Sequence, residues 1–254
     1  MASYVRIGIV GSGAMGSWLR QELSSLHRVL VFDIDRTRSD VSSLEELVRW
    51  AEVVIVAVPF WAAREVLREI APMASGRLVM DIATFKRGVV ETYSEFPLDA
   101  KVASVHPLFG PGAPSIKGQR VLIMEVPGRQ GALEAFRFWS ELGAVVEWGD
   151  LAKHDYYVSR TIALSYAVGL ALARIYAETG EEIFKYGGTS FRYLAAYAFS
   201  LLRDPNAPRY AEEAPLEEFI KALSRGDLPK ALLDPDAAYK AFYKALEALK
   251  DLYG

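Results

Sequence analysis

The chemistry in this chain is most readily placed at a histidine between an apolar run and a loop rich in proline and glycine. In Ser104-Val105-His106-Pro107-Leu108-Phe109-Gly110-Pro111-Gly112, the imidazole follows Lys101-Val102-Ala103-Ser104-Val105, which reads as a short buried strand. Pro107 disfavours a helical conformation for His106 and leaves it extended at the strand's carboxyl end. Gly110, Pro111, Gly112 and Pro114 exclude regular structure beyond it and permit close backbone approach to a ligand. In an open α/β sheet that edge is where ligands bind. An imidazole there suits general-base work near neutral pH.

A second constellation stands at the start of the chain. The strand candidate Tyr4-Val5-Arg6-Ile7-Gly8-Ile9-Val10 runs into Gly11-Ser12-Gly13-Ala14-Met15-Gly16. An amphipathic helix over 15–26 follows, then the strand Val29-Leu30-Val31-Phe32 and Asp33, 22 positions beyond Gly11. This is the context of a dinucleotide fingerprint. Its glycines make a tight turn, a helix N-terminus meets the pyrophosphate, and a carboxylate holds the ribose hydroxyls. The expected cofactor set is Gly11, Ser12, Gly13, Ala14, Met15, Gly16 and Asp33, with Val58 and Pro59 where the third strand ends. Asp33 would repel a 2′-phosphate, so NAD is expected over NADP, although Arg36 and Arg38 lie close in sequence.

These residues must be positioned by alternating strands and helices. Helices are expected over 44–50 (capped by Ser42 or Ser43), 61–70, 86–96 and 130–142; strands are expected over 53–58, 77–80, 101–105, 120–124 and 144–148. Continuous β-branched runs between helices indicate a mainly parallel sheet covered on both faces. After Gly149-Asp150 strand signals stop. The segment 156–176 is apolar almost all the way round, and a helix of that kind must be covered on several sides. The final helix starts at Asp234-Pro235 and carries a stripe at Tyr239, Phe242, Leu246, Leu249 and Tyr253. The expected architecture is an N-terminal Rossmann-type, doubly wound, mainly parallel sheet (1–149) with a C-terminal all-α dimerisation and substrate domain (150–254). Because the helical part is small for its apolar surface, a homodimer is expected, with the active site between the two domains.

Composition excludes several function classes. With 254 residues, 52% of them apolar, the chain can bury a substantial core. A net charge of −3 gives no electrostatic attraction to nucleic acid or an anionic membrane. There is no cysteine, so thiolate chemistry, disulfides and cysteine–metal sites are excluded, and the three histidines lack close ligand spacing, so no metal is expected. No signal peptide is visible, and only 13 uncharged residues separate Arg160 from Arg174 in the long apolar helix. A cytoplasmic location is expected.

With these motifs placed, the chain resembles the prephenate dehydrogenase family, whose members make the tyrosine precursor 4-hydroxyphenylpyruvate. The resemblance rests on the GSGAMG turn, Asp81-Ile82-Ala83-Thr84-Phe85-Lys86, the loop His106-Pro107-Leu108-Phe109-Gly110-Pro111, His154-Asp155, and Phe191-Arg192. It implies oxidative decarboxylation of prephenate with hydride transfer to NAD. His106 would be the catalytic histidine, and Thr84 would stand for a serine contacting the substrate hydroxyl. Arg192 would bind a substrate carboxylate, with His154 and Tyr166 also on the substrate side.

Two positions depart from the family pattern. Tyr166 replaces a histidine that many members have twelve residues after His-Asp. Tyr193-Leu194-Ala195-Ala196 replaces a Thr-Arg-Ile-Ala stretch. Alternatives of other kinds are arogenate dehydrogenase, an imino-acid or β-hydroxyacid oxidoreductase using Lys86 as its acid–base group, and a non-catalytic dinucleotide-sensing dimer.

Overall fold

The computed structural model describes residues 4–227 and 229–249. The chain divides into two compact units, Met1–Asp155 and Tyr156–Gly254. Seven strands form one sheet in the first unit: β1 (Arg6–Val10), β2 (Arg28–Phe32), β3 (Val53–Val56), β4 (Leu78–Asp81), β5 (Lys101–Pro107), β6 (Arg120–Met124) and β7 (Val145–Trp148). Their order is β2-β1-β3-β4-β5-β6-β7. The first five are mutually parallel, β6 is antiparallel to β5, and β7 is parallel to β6. This is the mainly parallel, Rossmann-type arrangement expected from the unbroken apolar runs.

Strand alternation divides the core between the two faces of the sheet. Helices α1 (Ala14–Leu23) and, later in the chain, α4 (Ala132–Glu141) bury Leu19, Leu23, Ala135 and Trp139 with Ile7, Ile9, Ile55 and Ile123. Helices α2 (Leu44–Trp50) and α3 (Phe60–Ile70) bury Leu47, Val48, Ala63 and Leu67 with Val10, Val54, Val56 and Val79 on the other face. Gly8 lets α2 lie close to β1, since a Cβ there would stand 3.0 Å from Leu47 Cγ and 3.1 Å from Ala51 Cβ. Ser43 caps α2, accepting from the Glu46 N–H at 3.1 Å, while the Glu46 carboxylate accepts from the Ser42 N–H and hydroxyl.

Two local expectations are corrected. Beyond Asp81, residues 86–96 do not form a helix; only a three-ten turn, Val90–Glu95, appears. The reason is local: the Lys86 and Arg87 N–H groups donate to the Asp155 carboxylate, and Gly88 adopts φ +77°. Pairing with antiparallel β6 carries β5 to Pro107, so His106 lies within the strand rather than past its end, opposite Leu122. The expected irregular path follows, and it is tied down. The Trp18 indole donates to the Ala113 carbonyl at 3.0 Å, Trp18 packs edge-on against Phe109, and Glu22 accepts from the Ile116 N–H at 3.0 Å. Helix α1 therefore holds both the glycine turn and the segment after His106.

The second unit is helical. One helix, Leu151–Thr179, begins at Asp150, which accepts from the Ala152 N–H, and contains a π-helical turn at Ser159–Ala163. It is long and apolar enough, by length and composition alone, to cross a membrane, despite the short uncharged run between its arginines. Only 22% of its most apolar window is buried within the chain. Arg160 lies over the Tyr156 ring and pairs with Glu218 at 2.5 Å. Helices Thr189–Ser200, Leu216–Leu223 and Pro235–Glu247 follow, the last capped by Asp234 as its sequence indicated. Tyr239 and Tyr243 pack together, as do Tyr193 and Phe242; Tyr253 of the expected stripe lies outside the described residues.

Candidate active site

The glycine turn has the shape its motif implies. Gly11 adopts φ +101°, and a Cβ on it would approach the Ala57 carbonyl oxygen to 2.7 Å and Val58 Cγ1 to 2.9 Å. A Cβ on Gly16 would stand 2.0 Å from the Gly11 carbonyl oxygen, so α1 packs directly on the turn. A Cβ on Gly13, by contrast, would meet nothing within 4 Å; this glycine borders open space at the N-terminus of α1, which carries no side-chain cap. Open space facing uncapped helix N–H groups fits a pyrophosphate. Ala14 and Met15 open that helix, and Pro59 opens α3 just beyond Val58.

Asp33 closes one side of the turn. Its Oδ2 accepts from the Ser12 N–H at 2.6 Å and its Oδ1 from the Asp35 N–H at 2.9 Å. Each oxygen keeps a lone pair for a ribose hydroxyl. Arg38 donates to the Ser12 carbonyl and Arg36 to the Ser42 carbonyl. The residues present therefore fit a dinucleotide.

His106 is 3% exposed and is joined to two further side chains. Its Nδ1 lies 2.8 Å from His154 Nε2, and His154 Nδ1 lies 2.7 Å from Asp155 Oδ1. Asp155 in turn accepts from the Lys86 N–H at 2.9 Å and the Arg87 N–H at 2.9 Å. Although burial opposes it, the hydrogen bonds from His154, Lys86 and Arg87 hold the Asp155 carboxyl below its ordinary value. An ionised carboxylate only accepts, so His154 carries a hydrogen on Nδ1, and as a neutral ring it offers the Nε2 lone pair. His106 must then donate from Nδ1, which leaves its Nε2 as the basic nitrogen. Burial and then the positive charge of Lys86 push His106 well below the ordinary histidine value, with Asp155 acting against them. The imidazole is accordingly neutral and ready to accept a proton.

A buried polar cluster stands behind this chain. Asp81, at the end of β4, has no exposed surface. Its Oδ1 accepts from Lys86 Nζ at 2.5 Å and from the Ala83 N–H at 3.1 Å; its Oδ2 accepts from the Tyr93 hydroxyl and the Ser104 hydroxyl, both at 2.8 Å. Lys86 Nζ also donates to the Val105 carbonyl at 2.8 Å. Burial lowers Lys86 while Asp81 opposes that shift, and burial with Asp81 pushes the Tyr93 phenol well up. Sequence reasoning gave no role to Asp81, Tyr93 or Ser104. The available signal was an acid ending an unbroken apolar strand, five residues ahead of a lysine.

Several expectations can now be located. Thr84 is half-buried between Asp81 and Lys86, and no helix follows it to be capped. His154 is buried with both ring nitrogens engaged, one on His106 and the other on Asp155. In the helical unit, the Tyr166 ring packs on Tyr210, and its phenol is pushed up to about 12 by burial, with Asp204, Tyr210 and Tyr197 adding to the effect. Arg192 is exposed in the first turn of Thr189–Ser200, its N–H bonded to the Gly188 carbonyl. Gly187 is needed for close approach rather than an unusual φ, because a Cβ there would meet the Phe191 ring at 2.0 Å. Among the described residues no group of three or more His, Asp or Glu could hold a metal ion.

Residues 28–147 match the family model described as prephenate dehydrogenase, nucleotide-binding domain. Among curated proteins, the chain is 26% identical over 191 residues to a "probable arogenate/prephenate dehydrogenase" of Methanocaldococcus jannaschii, covering 69% of this chain and 43% of that protein. It is 27% identical over 173 residues to the T-protein of Enterobacter agglomerans, covering 64% of this chain and 44% of that protein. The chain thus spans less than half the length of these relatives. Its fold is similar to that of prephenate dehydrogenase from Aquifex aeolicus, solved with hydroxyphenyl propionate and NAD+: TM-score 0.65, 21% identity, 98% of this chain and 96% of that one. The glycine turn, the histidine loop and these matches together make the chain similar to prephenate dehydrogenases, most directly over residues 28–147.

Proposed function

We propose that this protein oxidatively decarboxylates prephenate to 4-hydroxyphenylpyruvate, with His106 as the general base and NAD as the hydride acceptor. The observation that carries this reading is the Asp155–His154–His106 chain, which supports a neutral imidazole with its Nε2 lone pair available. NAD, held at the glycine turn and Asp33, supplies the acceptor for the hydride from the hydroxyl-bearing ring carbon. As that carbon becomes carbonyl-like, His106 takes the hydroxyl proton on Nε2. The charge formed is stabilised through His154 by the Asp155 carboxylate, which need not itself become protonated. As carbon dioxide leaves and the ring aromatises, the same proton can return to the phenolate oxygen. Thr84 is assigned to the substrate hydroxyl. His154 is assigned to orienting His106 rather than to substrate, since both its nitrogens are engaged.

The substrate class is supported by the Aquifex structure, whose bound hydroxyphenyl propionate carries a phenol and a carboxylate on a side chain. Arogenate is the second reading, because the Methanocaldococcus relative's name includes it. An imino-acid or β-hydroxyacid reaction with Lys86 as acid–base group fits poorly, since its ammonium is spent on Asp81 and the Val105 carbonyl. A homodimer in the cytoplasm completes the reading; the dimer is supported by the largely uncovered apolar surface of Leu151–Thr179. Light scattering at micromolar protein should give twice the chain mass; a monomer would overturn the dimer assignment.

Four kinetic outcomes follow from this assignment. Replacing His106 by asparagine should reduce kcat by roughly 10²–10⁴ while leaving NAD affinity nearly unchanged. In the same assay, kcat/KM for the native enzyme should fall with acid only below the ordinary histidine value of about 6.5, because the neutral form is active and burial resists protonation. Retention of more than a tenth of kcat, or an acid limb above that value, would contradict the role. Asp33 should give a higher kcat/KM with NAD than with NADP; equality or reversal would show that Arg36 or Arg38 accepts the 2′-phosphate. Arg192, which sits at a helix start, is assigned to a substrate carboxylate. Arg192→Ala should raise the KM for prephenate well over tenfold, and Arg192→Lys should restore only part of it. A KM within about threefold of native would move the anchor elsewhere.

A further inference from the structure

Lys86 touches the histidine chain from two directions. Its backbone N–H donates to both Asp155 oxygens, at 2.9 and 3.1 Å, and so helps aim the carboxylate that orients His154. Its side chain turns the other way, into the interior. There Nζ donates to the Val105 carbonyl at 2.8 Å, one residue before His106, and to Asp81 at 2.5 Å. Asp81 is itself fixed by Tyr93 and by Ser104, two residues before His106. One residue thus braces the carboxylate end of the chain and the strand that carries the imidazole end.

We propose that Lys86 is a positioning residue for His106, its backbone N–H and its ammonium together holding the Asp155 carboxylate and β5 in register. This deepens the general-base reading and rests on it. The charged or titratable groups packed round the site are Lys86, Asp81, Tyr93, His154 and Asp155. Of these, Lys86 opposes a proton on His106, and Asp155 favours it. A buried side chain that served only to fill the core would need neither the ammonium nor a bond to the Val105 carbonyl. An ammonium in a dry interior acts strongly on a neighbouring imidazole because little water screens it. Its partner Asp81 favours the charged form against the effect of burial.

Two variants and the native protein test this. Ring-proton NMR titration of His106, without substrate or cofactor, reads the imidazole directly. Lys86→Met should raise its midpoint by about one pH unit or more, because loss of the ammonium and the unbalanced Asp81 carboxylate act in the same direction. The acid limb of kcat/KM should move up by the same amount. Displacement of the imidazole should lower kcat on the order of 10²-fold, with NAD affinity and prephenate KM little changed. Lys86→Arg, which keeps the charge, should leave the titration within a few tenths of a unit of native. A folded Lys86→Met whose His106 titration coincides with native overturns the proposal, even if its melting temperature falls.

Loss of a buried ion-pair partner is destabilising, so the native protein supplies an independent reading. Nitrogen NMR at neutral pH should show Lys86 Nζ as an ammonium, and a neutral amine there overturns the proposal. Native protein that shows these NMR signatures but turns over no prephenate would refute the substrate assignment while leaving the role of Lys86 intact.

Discussion

The site depends on keeping one buried imidazole neutral and correctly oriented. Burial alone would leave His106 uncharged but free to rotate and to place its hydrogen on either nitrogen. The Asp155 carboxylate removes that freedom. Two backbone N–H groups fix it, it accepts from His154, and His154 accepts from His106. Each bond determines the direction of the next, because a carboxylate cannot donate and a neutral imidazole offers one donor and one acceptor. The result is a base whose tautomer is set by groups with no need to touch substrate.

The fold serves this constraint with modest means. Parallel β4 and β5 bring Asp81 beside Ser104, and antiparallel β6 holds β5 extended to Pro107. The irregular segment after Asp81 returns Lys86 toward both strands and offers its N–H to Asp155 at the start of the long helix. On the cofactor side, α1 packs on the glycine turn through Gly16 and grips the loop after His106 through Trp18 and Glu22. The proposed cofactor cradle and the loop after His106 therefore share one helix. A displacement of α1 would be felt at both.

Much of this was legible in the residues. The glycine turn, Asp33, the sheet's parallel character and the end of α2 at Trp50 follow from local patterns whose physics is short-range. His106 stood out because proline and glycine flank it. What escaped was non-local. The extension of β5 over Pro107 needs a partner strand 13 or more residues later, and the missing helix at 86–96 reflects hydrogen bonds to an acid 69 residues away. His154 was readable as a helix-start or substrate residue, because only the fold brings it to His106. Asp81 and Tyr93 looked like ordinary strand-end and core residues until their shared bonds were visible. In the helical unit, Arg192 and Tyr166 rest on motif resemblance more than on geometry, and their roles are the part of the account closest to the sequence.

The claim that most of the mechanism hangs on is the direction of the hydrogen-bond chain. Nitrogen-15 NMR of histidine rings in the unliganded native protein at neutral pH reads it directly. The account predicts that His106 and His154 both carry hydrogen on Nδ1, that His106 Nε2 is unprotonated, and that replacing Asp155 by asparagine disturbs both rings. A hydrogen on His106 Nε2, or an imidazolium at His106 at neutral pH, would contradict it.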